Sequence, residues 1–414
     1  MRILFLSHYF PPEVNAPASR THEHARRWVA DGHEVTVVTG VPNHPSGVLF
    51  PGWENRWIQE DEVDGIRVIR TWMFLVPNEG FLRRSLNYLL FALTAILASR
   101  RVDRPDVVVA TSPQFFCGLA GAVVARLKGC PFVLEVRDLW PESIVALGQL
   151  RARPLIRVLE FLESWLYRNA AGVVVNTRSF VAHIQRRGVA RECIEVVYNG
   201  IDRSLFRPQS RDPELLRSVG LENRFVVAYI GTLGMAHGLM TLVDCAEKMR
   251  DREEVRFLLI GDGAEKAHLE REIQRRGLTN VQLLGLRPRD EIPIWIASVD
   301  VLLVLLRDLP VFGSVIPSKG FEFLAQEKPV IVATPRGEFR DLMEKAEAAY
   351  LVEPERGEEL AAVIDTLRSH PEDATARARN GRKWVEANFS RDDLALKMAS
   401  FLELTARRWA RGSR

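Results

Sequence analysis

Cysteine is scarce in this 414-residue sequence, and it follows no metal-binding or disulfide pattern. The four cysteines are far apart, at Cys117, Cys130, Cys193 and Cys245. Their spacing matches neither a zinc-ligand motif nor the disulfide framework of a small secreted domain. We therefore expect reduced thiols, which are typical of a cytoplasmic protein.

An excess of charge of one sign is also lacking. The sequence has 56 Lys and Arg against 53 Asp and Glu, a formal net charge of +3. This balance argues against nucleic acid as the main partner. The N-terminus is apolar only from Met1 to Leu6 before His8 and the pair Pro11 and Pro12. That run is shorter than the apolar region of a signal peptide and predicts a first buried strand.

Long apolar runs are few, and the longest, Leu86–Ala98, is apolar on nearly all sides. Arginines flank it on both ends, at Arg83, Arg84, Arg100 and Arg101. It is shorter than the roughly 20 apolar residues needed to cross a bilayer. Two interpretations stay open: a core helix, or an interfacial helix with its arginines on anionic headgroups. The second predicts peripheral contact with an anionic membrane through about residues 82–101, on the inner face of the cytoplasmic membrane.

Short apolar runs alternate with longer amphipathic stretches, as in parallel strands joined by helices. The first half has seven predicted strands: Ile3–Ser7, Glu34–Thr39, Ile66–Thr71, Asp106–Thr111, Phe132–Arg137, Gly172–Asn176 and Ile194–Val197. The second half has six: Phe225–Ile230, Arg256–Ile260, Val281–Leu284, Val301–Leu305, Val330–Ala333 and Ala349–Val352. The predicted fold class is α/β, with two doubly wound Rossmann-like domains facing across a cleft.

The segment from Tyr198 to Pro208 is rich in turn residues and marks the predicted domain boundary. The domains are then residues 1–200 and 201–385. Residues 386–414 are the predicted C-terminal segment. It has a break at Asn388–Asp393 and a final helix, with Ser390 as its N-cap, that crosses back to the first domain.

Ligands of doubly wound sheets collect beyond the carboxyl ends of the strands, so the residues that follow each strand are the candidates. The loop from Ser7 to a helix near Ser19 holds small residues that let backbone amides approach a phosphate, although a loop without a ligand is equally compatible. After the fifth strand, Arg137 stands beside Asp138, where a structural ion pair is the alternative. The turns Gly231–Gly238 and Gly261–Gly263 allow close approach of a ligand, but neither is a Walker or G-x-G-x-x-G motif.

The segment Ser314–Glu322 has the strongest ligand-binding character. Pro317 fits the first turn of a helix, and helical spacing places Phe321 and Leu324 on one face with Lys319 and Glu322 on the other. A diphosphate at this helix start would meet free amides, the helix dipole and the ammonium of Lys319. Glu322 would accept hydrogen bonds from a ribose. The alternative is a solvated Lys and Glu pair on a surface helix.

Taken together, the motifs resemble those of the retaining glycosyltransferases of family 4, over nearly the whole chain. The matching segments are Phe10–Glu13, Asp31–Val37, Tyr198–Asp202, Gly231–Gly238, Ile260–Gly263, Pro317–Glu322 and Lys328–Val330. Val41–Gly47 and Arg137–Ser143 are most similar to the bacterial branch that builds lipopolysaccharide O-antigen and exopolysaccharide, including transferases of acetamido-deoxyhexoses such as N-acetylfucosamine.

The resemblance implies the GT-B fold, with a nucleotide-sugar donor, a UDP-sugar, bound to the second domain. It also implies a lipid-linked (polyprenyl diphosphate) acceptor on the first domain, and no cofactor or required metal. The implied donor site is Asn15, Ala16, Gly231, Thr232, His237, Gly261, Gly263, Arg287, Ser314, Val315, Ile316, Pro317, Ser318, Lys319 and Glu322. Glu13 and His44 are the implied acceptor contacts. Arg137, Asp138 and Glu322 are the catalytic candidates, with their individual roles left open.

Three positions depart from the family pattern. Ser314 stands where many members have a Glu close to the transferred sugar, and Thr232 and His237 stand where an Arg and a Lys commonly hold the donor phosphates. Arg137 replaces a common active-site His. Lys319 must then carry more of the phosphate binding, with His237 adding only a hydrogen bond unless it is protonated.

Two other functions share much of this pattern. A nucleotide-sugar epimerase of the same fold would need acid and base side chains that the sequence does not identify. A non-catalytic two-domain binding protein would close on its ligand without turnover. His8, His22, His24 and His44 are predicted to line the same edge of the cleft, where any one of them is more often structural than catalytic.

Overall fold

The structure, a computed structural model, describes residues 1–44, 46–76, 81–112, 115–148 and 150–412, with residues 81 and 82 described by their backbone alone. The predicted segments that contain Pro45, Ser413 or Arg414 extend outside the described residues at those positions. The chain divides into two compact units, Met1–Asn199 with Arg391–Arg414, and Gly200–Ser390.

The first unit is built on an eight-stranded sheet with the order β3-β4-β2-β1-β5-β6-β7-β8. Its strands are β1 (Arg2–Leu6), β2 (Glu34–Gly40), β3 (Ile58–Val63), β4 (Ile66–Thr71), β5 (Val107–Thr111), β6 (Phe132–Val136), β7 (Gly172–Val175) and β8 (Ile194–Val196). All neighbours are parallel except β3 and β4, which are antiparallel. The seven predicted strands are confirmed to within one residue at each end, whereas β3 was missed because its sequence IQEDEV is charged and lies at the edge of the sheet.

The helices of the first unit lie on both faces of this sheet. They are α1 (Ala16–Ala30), α2 (Phe81–Ala98), α3 (Phe115–Lys128), α4 (Glu142–Ala146), α5 (Arg153–Asn169) and α6 (Ser179–Arg186), with short 3-10 turns at Ser99–Arg101 and Arg191–Cys193. Helices α2, α3, α5 and α6 contribute to one core, while α1 contributes to the core on the opposite face. The prediction that α1 begins near Ser19 was wrong, because the Asn15 side chain accepts a hydrogen bond from the Ala18 amide and caps the helix earlier.

The second unit has a six-stranded parallel sheet with the order β11-β10-β9-β12-β13-β14. Its strands are β9 (Phe225–Ile230), β10 (Val255–Ile260), β11 (Val281–Gly285), β12 (Val301–Leu305), β13 (Val330–Ala333) and β14 (Tyr350–Val352). Its helices are α7 (Pro213–Ser218), α8 (Met240–Lys248), α9 (Lys266–Arg275), α10 (Ile292–Ser298), α11 (Ser318–Ala325), α12 (Glu338–Lys345), α13 (Gly357–Ser369) and α14 (Pro371–Asn388), with a 3-10 turn at Pro310–Ser314. Both units are thus α/β and Rossmann-like, as predicted.

The strand orders place a switch point in each sheet. In the second unit, β9 lies between β10 and β12, so that the connections leaving the carboxyl ends of β9 and β12 run in opposite directions. In the first unit, β1 lies between β2 and β5 in the same way. Such divergence opens a crevice for ligands. The loops after β9, β12 and β1, together with helices α1 and α11, hold most of the predicted site residues.

The last helix, α15 (Arg391–Gly412), belongs to the first unit. Its Ala395 carbonyl accepts a hydrogen bond from Trp28 Nε1 at 2.9 Å, and Leu402 is buried in the same core as Trp28. The helix begins at Arg391, directly after the predicted N-cap Ser390, while the start of the predicted segment at 386 was wrong because α14 continues to Asn388.

Among the described residues, no helix combines the length and the apolar character needed to cross a membrane. The segment Leu86–Ala98 lies within α2. One side of α2 is core, with Phe91 and Ala95 fully buried. The other side is exposed, and Leu93 keeps 51% of its surface accessible. The core interpretation is therefore confirmed for one face of α2, and the interfacial interpretation concerns only the opposite, exposed face.

Candidate functional site

Glycines bring two loops of the second unit into backbone contact. The Gly231 amide donates to the Ile260 carbonyl and the Leu233 amide to the Asp262 carbonyl, each at 2.9 Å. Gly261 has φ +149°, and a Cβ there would lie 1.9 Å from the Gly231 carbonyl oxygen. A Cβ on Gly263 would lie 2.4 Å from the Leu233 carbonyl oxygen. These glycines are required by packing between the loops, which accounts for them without a ligand.

Helix α11 follows the loop after β12 and begins at Ser318. Pro317 occupies the N-cap position instead of the predicted first turn, which still suits a residue without an amide proton. Phe321 and Leu324 are fully buried, while Lys319 and Glu322 are only partly covered. The helix therefore presents the two predicted faces, and Lys319 lies in its first turn.

The ammonium of Lys319 lies in a partly enclosed position that the loop after β9 provides. Its Nζ is 3.8 Å from the centroid of the Tyr229 ring and 2.7 Å from where a Cβ on Gly231 would be. The Nζ atom is buried and has no hydrogen-bond partner in the described structure. Burial lowers the pKa of Lys319 to about 7, and the nearby Glu322 carboxylate only partly offsets this effect. A buried donor of this kind is costly unless something supplies its acceptor.

His237 lies beside the same lysine. Burial, together with the charge of Lys319, lowers the pKa of His237 to about 3, so the imidazole is neutral at physiological pH. Its Nδ1 is 3.4 Å from the Leu305 carbonyl oxygen, and its ring is 5.9 Å from that of Tyr229. The structure thus brings Gly231, His237 and Lys319 together around Tyr229.

Tyr229 was missed as a site residue. It is fully buried in β9, and its hydroxyl donates to the Thr232 carbonyl at 2.8 Å, which fixes the turn that follows. The one available clue was a hydroxylated aromatic residue within the otherwise apolar strand Phe225–Ile230.

The remaining predicted donor residues make contacts of their own. Ser314 Oγ donates to the Val311 carbonyl at 2.7 Å, within the 3-10 turn. Arg287 lies over the ring of Trp295, 5.7 Å from its centroid, and its Nε is buried without a partner. Ile316 and Pro317 are buried, whereas Val315 and Ser318 are partly exposed. No described contact joins Arg287 or Ser314 to the group around Lys319.

In the first unit, Arg137 and Asp138 follow β6. The Arg137 amide donates to Ser112 Oγ at 2.9 Å, and its Nη1 donates to the Ala16 carbonyl at 3.3 Å. Burial lowers the pKa of Arg137 to about 10 and raises that of Asp138 to about 6. Asp138 also lines a small cavity with Ser112, Phe115, Gly118, Leu134, Val136, Trp140, Glu163, Leu166 and Tyr167. No salt bridge between Arg137 and Asp138 is found among the described residues, although the charge of each favours the ionised form of the other and partly offsets the effect of burial.

A buried ion pair beneath Arg137 was missed. Arg20 Nε donates to Glu135 Oε1 at 2.7 Å, and both side chains are almost fully buried. The same arginine donates to the carbonyl oxygens of Val197 and Tyr198, each at 2.8 Å. Arg20 thus joins α1 to the residues that follow β8. These residues are more than 170 positions apart, so the contact could not be predicted from the sequence.

Asn15 and Ala16 lie at the start of α1. Asn15 Oδ1 accepts from the Ala18 amide at 2.9 Å, while its Nδ2 is buried without a hydrogen-bond partner. The Ala16 carbonyl accepts from Arg137, as described above. These two residues and Arg137 therefore form one local group within the first unit.

Glu13 is buried and organises the loop after β2. Its Oε1 accepts from the amides of Asn43 and His44, each at 2.9 Å. Burial raises the pKa of Glu13 to about 7, against the opposing effect of these two hydrogen bonds. Burial also lowers the pKa of His44 to about 4, and its ring makes an edge contact with Tyr9 at 4.9 Å.

The three other histidines have structural contacts. His8 packs against Tyr9, Tyr88 and Phe91, and burial lowers its pKa to about 3. His22 Nε2 lies 2.7 Å from Asp64 Oδ2, and His24 packs beside Trp28.

No three His, Cys, Asp or Glu side chains of the described residues are grouped as a metal site would require.

Comparison with known families matches each unit in turn. Residues 15–200 match the model of the glycosyl transferase 4-like domain, and residues 212–384 match glycosyl transferases group 1. A putative colanic acid biosynthesis glycosyl transferase, WcaI of Escherichia coli, is 27% identical over 95% of this chain and 98% of its own length. The 2-deoxystreptamine glucosyltransferase of Streptomyces kanamyceticus is 29% identical over 73% of this chain and 78% of its own.

Similarity to solved structures covers the whole fold. The structure of Anabaena HepE in complex with UDP and glucose has a TM-score of 0.72 and 22% identity, over 97% of this chain and 99% of its own. Two family models in sequence, two Rossmann-like units and this likeness agree with one another. The chain belongs to the family 4 glycosyltransferases with the GT-B fold.

Proposed function

We propose that this glycosyltransferase moves a sugar from a nucleotide donor to a lipid-linked or glycan acceptor during the synthesis of a cell-surface polysaccharide. The assignment of a nucleotide donor rests on the ammonium of Lys319, in the first turn of α11. This ammonium is buried against Gly231 and has no hydrogen-bond partner in the described structure. A diphosphate would supply the missing acceptor.

Charge supports this assignment. A diphosphate beside Lys319 would stabilise the protonated ammonium and offset the burial that lowers its pKa. The amides at the start of α11 add the positive end of the helix dipole. His237 stays neutral and serves as a hydrogen-bonding group. Under this proposal Lys319 and the helix end neutralise the donor phosphates, and no metal is required.

The donor is proposed to be a UDP-sugar. UDP is bound in the similar HepE structure. The transferred sugar is proposed to be an N-acetylated amino or deoxy-amino sugar, because the segment Arg137–Ser143 resembles transferases of that type. Glu322 is assigned to the ribose, since it lies one turn after Ser318 on the partly exposed side of α11.

The reaction is proposed to retain the configuration of the anomeric carbon. The bond from that carbon to the donor phosphate oxygen breaks, the acceptor oxygen forms its bond on the same face, and the acceptor proton passes to the leaving phosphate. Positioning and charge stabilisation then supply the catalysis. Arg137 and Asp138 are proposed as contacts to the sugar or acceptor, because both are largely buried at the end of β6.

The acceptor is proposed to bind the first unit near Glu13 and His44, and to be a saccharide on a polyprenyl diphosphate at the inner face of the cytoplasmic membrane. Similarity to a colanic acid transferase over almost the full length of both chains supports a polysaccharide product. The relative that acts on 2-deoxystreptamine makes a water-soluble acceptor the second candidate.

The test begins with a thermal-shift screen of UDP-, GDP- and dTDP-sugars, because a bound ligand stabilises the folded protein according to its affinity. The selected donor is then incubated with a polyprenyl-diphosphate saccharide, with 2-deoxystreptamine, or alone. Transfer to the lipid supports the proposal, and transfer only to 2-deoxystreptamine supports the second candidate. Epimerisation of the donor alone, or tight binding without any transfer, would refute the transferase assignment.

A further inference from the structure

Exposed apolar side chains are concentrated on three helices of the first unit. Large apolar residues exposed by more than a third of their surface are Leu86, Leu89, Leu93 and Leu97 on α2, Val123 and Leu127 on α3, and Leu155, Val158 and Phe161 on α5. We call these nine residues the apolar surface. So many exposed apolar side chains on one part of a protein surface are unusual, and such a patch marks an interaction site.

The three helices expose these residues on the same side of the sheet. Phe91 of α2, Cys117 of α3 and Leu166 of α5 are buried together in one core on one face of the sheet. The opposite face is covered by α1 and α15, which contribute to a separate core. Because the inner sides of α2, α3 and α5 share a core, their outer sides face the same way.

On α2 the exposed residues form one stripe. Leu86, Leu89, Leu93 and Leu97 recur at intervals of three or four residues, so they lie within one narrow arc of the helix. They fall on the side opposite to Phe91. This is the pattern of a helix that lies flat in an interface, with its long axis parallel to the surface it contacts.

The charges around the apolar surface are mainly basic. Helices α2 and α3 contain no acidic residue, whereas α5 contains Glu160, which is partly exposed, and Glu163, which is buried and paired with Arg187. The exposed basic side chains on or beside the three helices include Arg83, Arg100, Arg101, Arg126, Arg153, Arg157 and Arg168. Arg101 also lies 3.7 Å from Glu60. Basic side chains beside exposed leucines suit a partner that is apolar in its interior and anionic at its surface.

This charge pattern selects between two occupants. A second copy of the chain would bring its own arginines against these, and like charges at an interface oppose association. An anionic bilayer offers acyl chains to the leucines and phosphates to the arginines. We infer that the apolar surface on α2, α3 and α5 docks the first unit on an anionic lipid bilayer, with α2 lying in the interface.

The inner side of α2 meets the loops assigned to the acceptor. Tyr88 and Phe91 pack against His8, with ring centroids 5.2 and 4.6 Å apart, and Tyr88 is hydrogen-bonded to Tyr9. Tyr9 in turn contacts His44. One helix therefore connects the docking surface to the loop after β2. This last step alone rests on the proposed lipid-linked acceptor.

The experiment measures co-sedimentation of the full chain with vesicles of phosphatidylcholine alone or mixed with phosphatidylglycerol, without donor or acceptor. Three proteins are compared: the unchanged protein, Leu93→Glu with Leu97→Glu, and Val123→Glu with Leu127→Glu. The matched control is Leu396→Glu with Leu404→Glu, because these α15 residues are similarly exposed on the opposite face of the same unit. Circular dichroism melting confirms that each variant is folded.

We expect binding to anionic vesicles that each of the two test pairs weakens at least about tenfold and the control pair leaves unchanged. In the otherwise unchanged protein, Arg100→Gln should weaken binding to anionic vesicles about fivefold at low salt. Absence of binding, equal binding of all variants, or equal binding to neutral vesicles would overturn the inference. So would a concentration-dependent dimer that the test pairs dissociate, since it would make a second copy the occupant. Donor binding in solution is measured separately, so a failure here leaves the proposed function standing.

Discussion

Changing Lys319 to Met tests the central charge of the proposed donor site. The substitution keeps most of the side-chain volume over the Tyr229 ring while removing the ammonium, whose Nζ lies 3.8 Å from the ring centroid. A charge-assisted hydrogen bond contributes about 1.5–3 kcal/mol. We therefore expect the affinity for a nucleotide sugar at pH 6 to fall by roughly ten- to 150-fold.

The pKa of Lys319 adds a second measurable consequence. Burial lowers this pKa to about 7 in the free protein. The protonated fraction then falls from about 0.9 at pH 6 to about 0.1 at pH 8, and a site that needs the charged form weakens in proportion. Donor affinity in the unchanged protein should thus decrease about tenfold over this range, while Lys319→Met should show no such decrease.

The assay is isothermal titration calorimetry with UDP-glucose at pH 6, 7 and 8, or with whichever nucleotide sugar the screen selects. A nucleotide sugar suits the test because its diphosphate is already fully ionised at pH 6, so the charge of the ligand does not change between pH 6 and pH 8. Buffers of different ionisation enthalpy also report the proton taken up on binding, which should increase with pH. Lys328→Met is the matched control, because the Lys328 ammonium already donates to the Ala297 carbonyl.

Equal affinity at pH 6 and pH 8 would refute the reasoning about Lys319. The same slope in Lys319→Met would refute it as well, since the titrating group would then be another residue. A loss of affinity in Lys328→Met as large as in Lys319→Met would indicate a general effect on the unit.

Two further predictions concern the loops. Gly261→Ala should lower the free energy of unfolding by about 1–3 kcal/mol more than Gly277→Ala does. The new Cβ at Gly261 would lie 1.9 Å from the Gly231 carbonyl oxygen, whereas a Cβ at Gly277 meets no atom within 4 Å. Urea denaturation of both variants measures the two losses, and equal losses would contradict the prediction. Glu13→Ala should cost about 1–3 kcal/mol because the amides of Asn43 and His44 lose their acceptor, whereas Glu13→Gln should cost less. Burial raises the pKa of Glu13 from 4.5 to about 7. The stabilising contribution of the protonated carboxyl is therefore fully present below pH 4.5 and is lost as the pH rises through 7. Glu13→Gln should flatten the dependence of stability on pH between 4.5 and 7, and an unchanged pH profile would show that Glu13 does not titrate there.

Sequence reasoning was most successful where local pattern and burial agree. A strand such as Val301–Leu305 is buried on both faces of a parallel sheet, so it is an uninterrupted apolar run that the sequence displays directly. The edge strand β3 has one partner, and its four central residues, 59–62, are polar or charged, so the same criterion missed it. The start of α1 was also misplaced. It depends on one hydrogen bond, from the Ala18 amide to Asn15 Oδ1, which the sequence allows but does not require.

The sequence by itself determined the two α/β units, the order of the strands along the chain, the family motifs and the helix that carries Lys319. It could not determine which side chains meet. That the ammonium of Lys319 lies over Tyr229, 90 residues earlier, and that Arg20 pairs with Glu135 were decided by the tertiary structure, because parallel strands bring distant loops to one edge of a sheet. The low pKa of Lys319 follows from that burial, since desolvation depends on neighbours in space and not on neighbours in sequence.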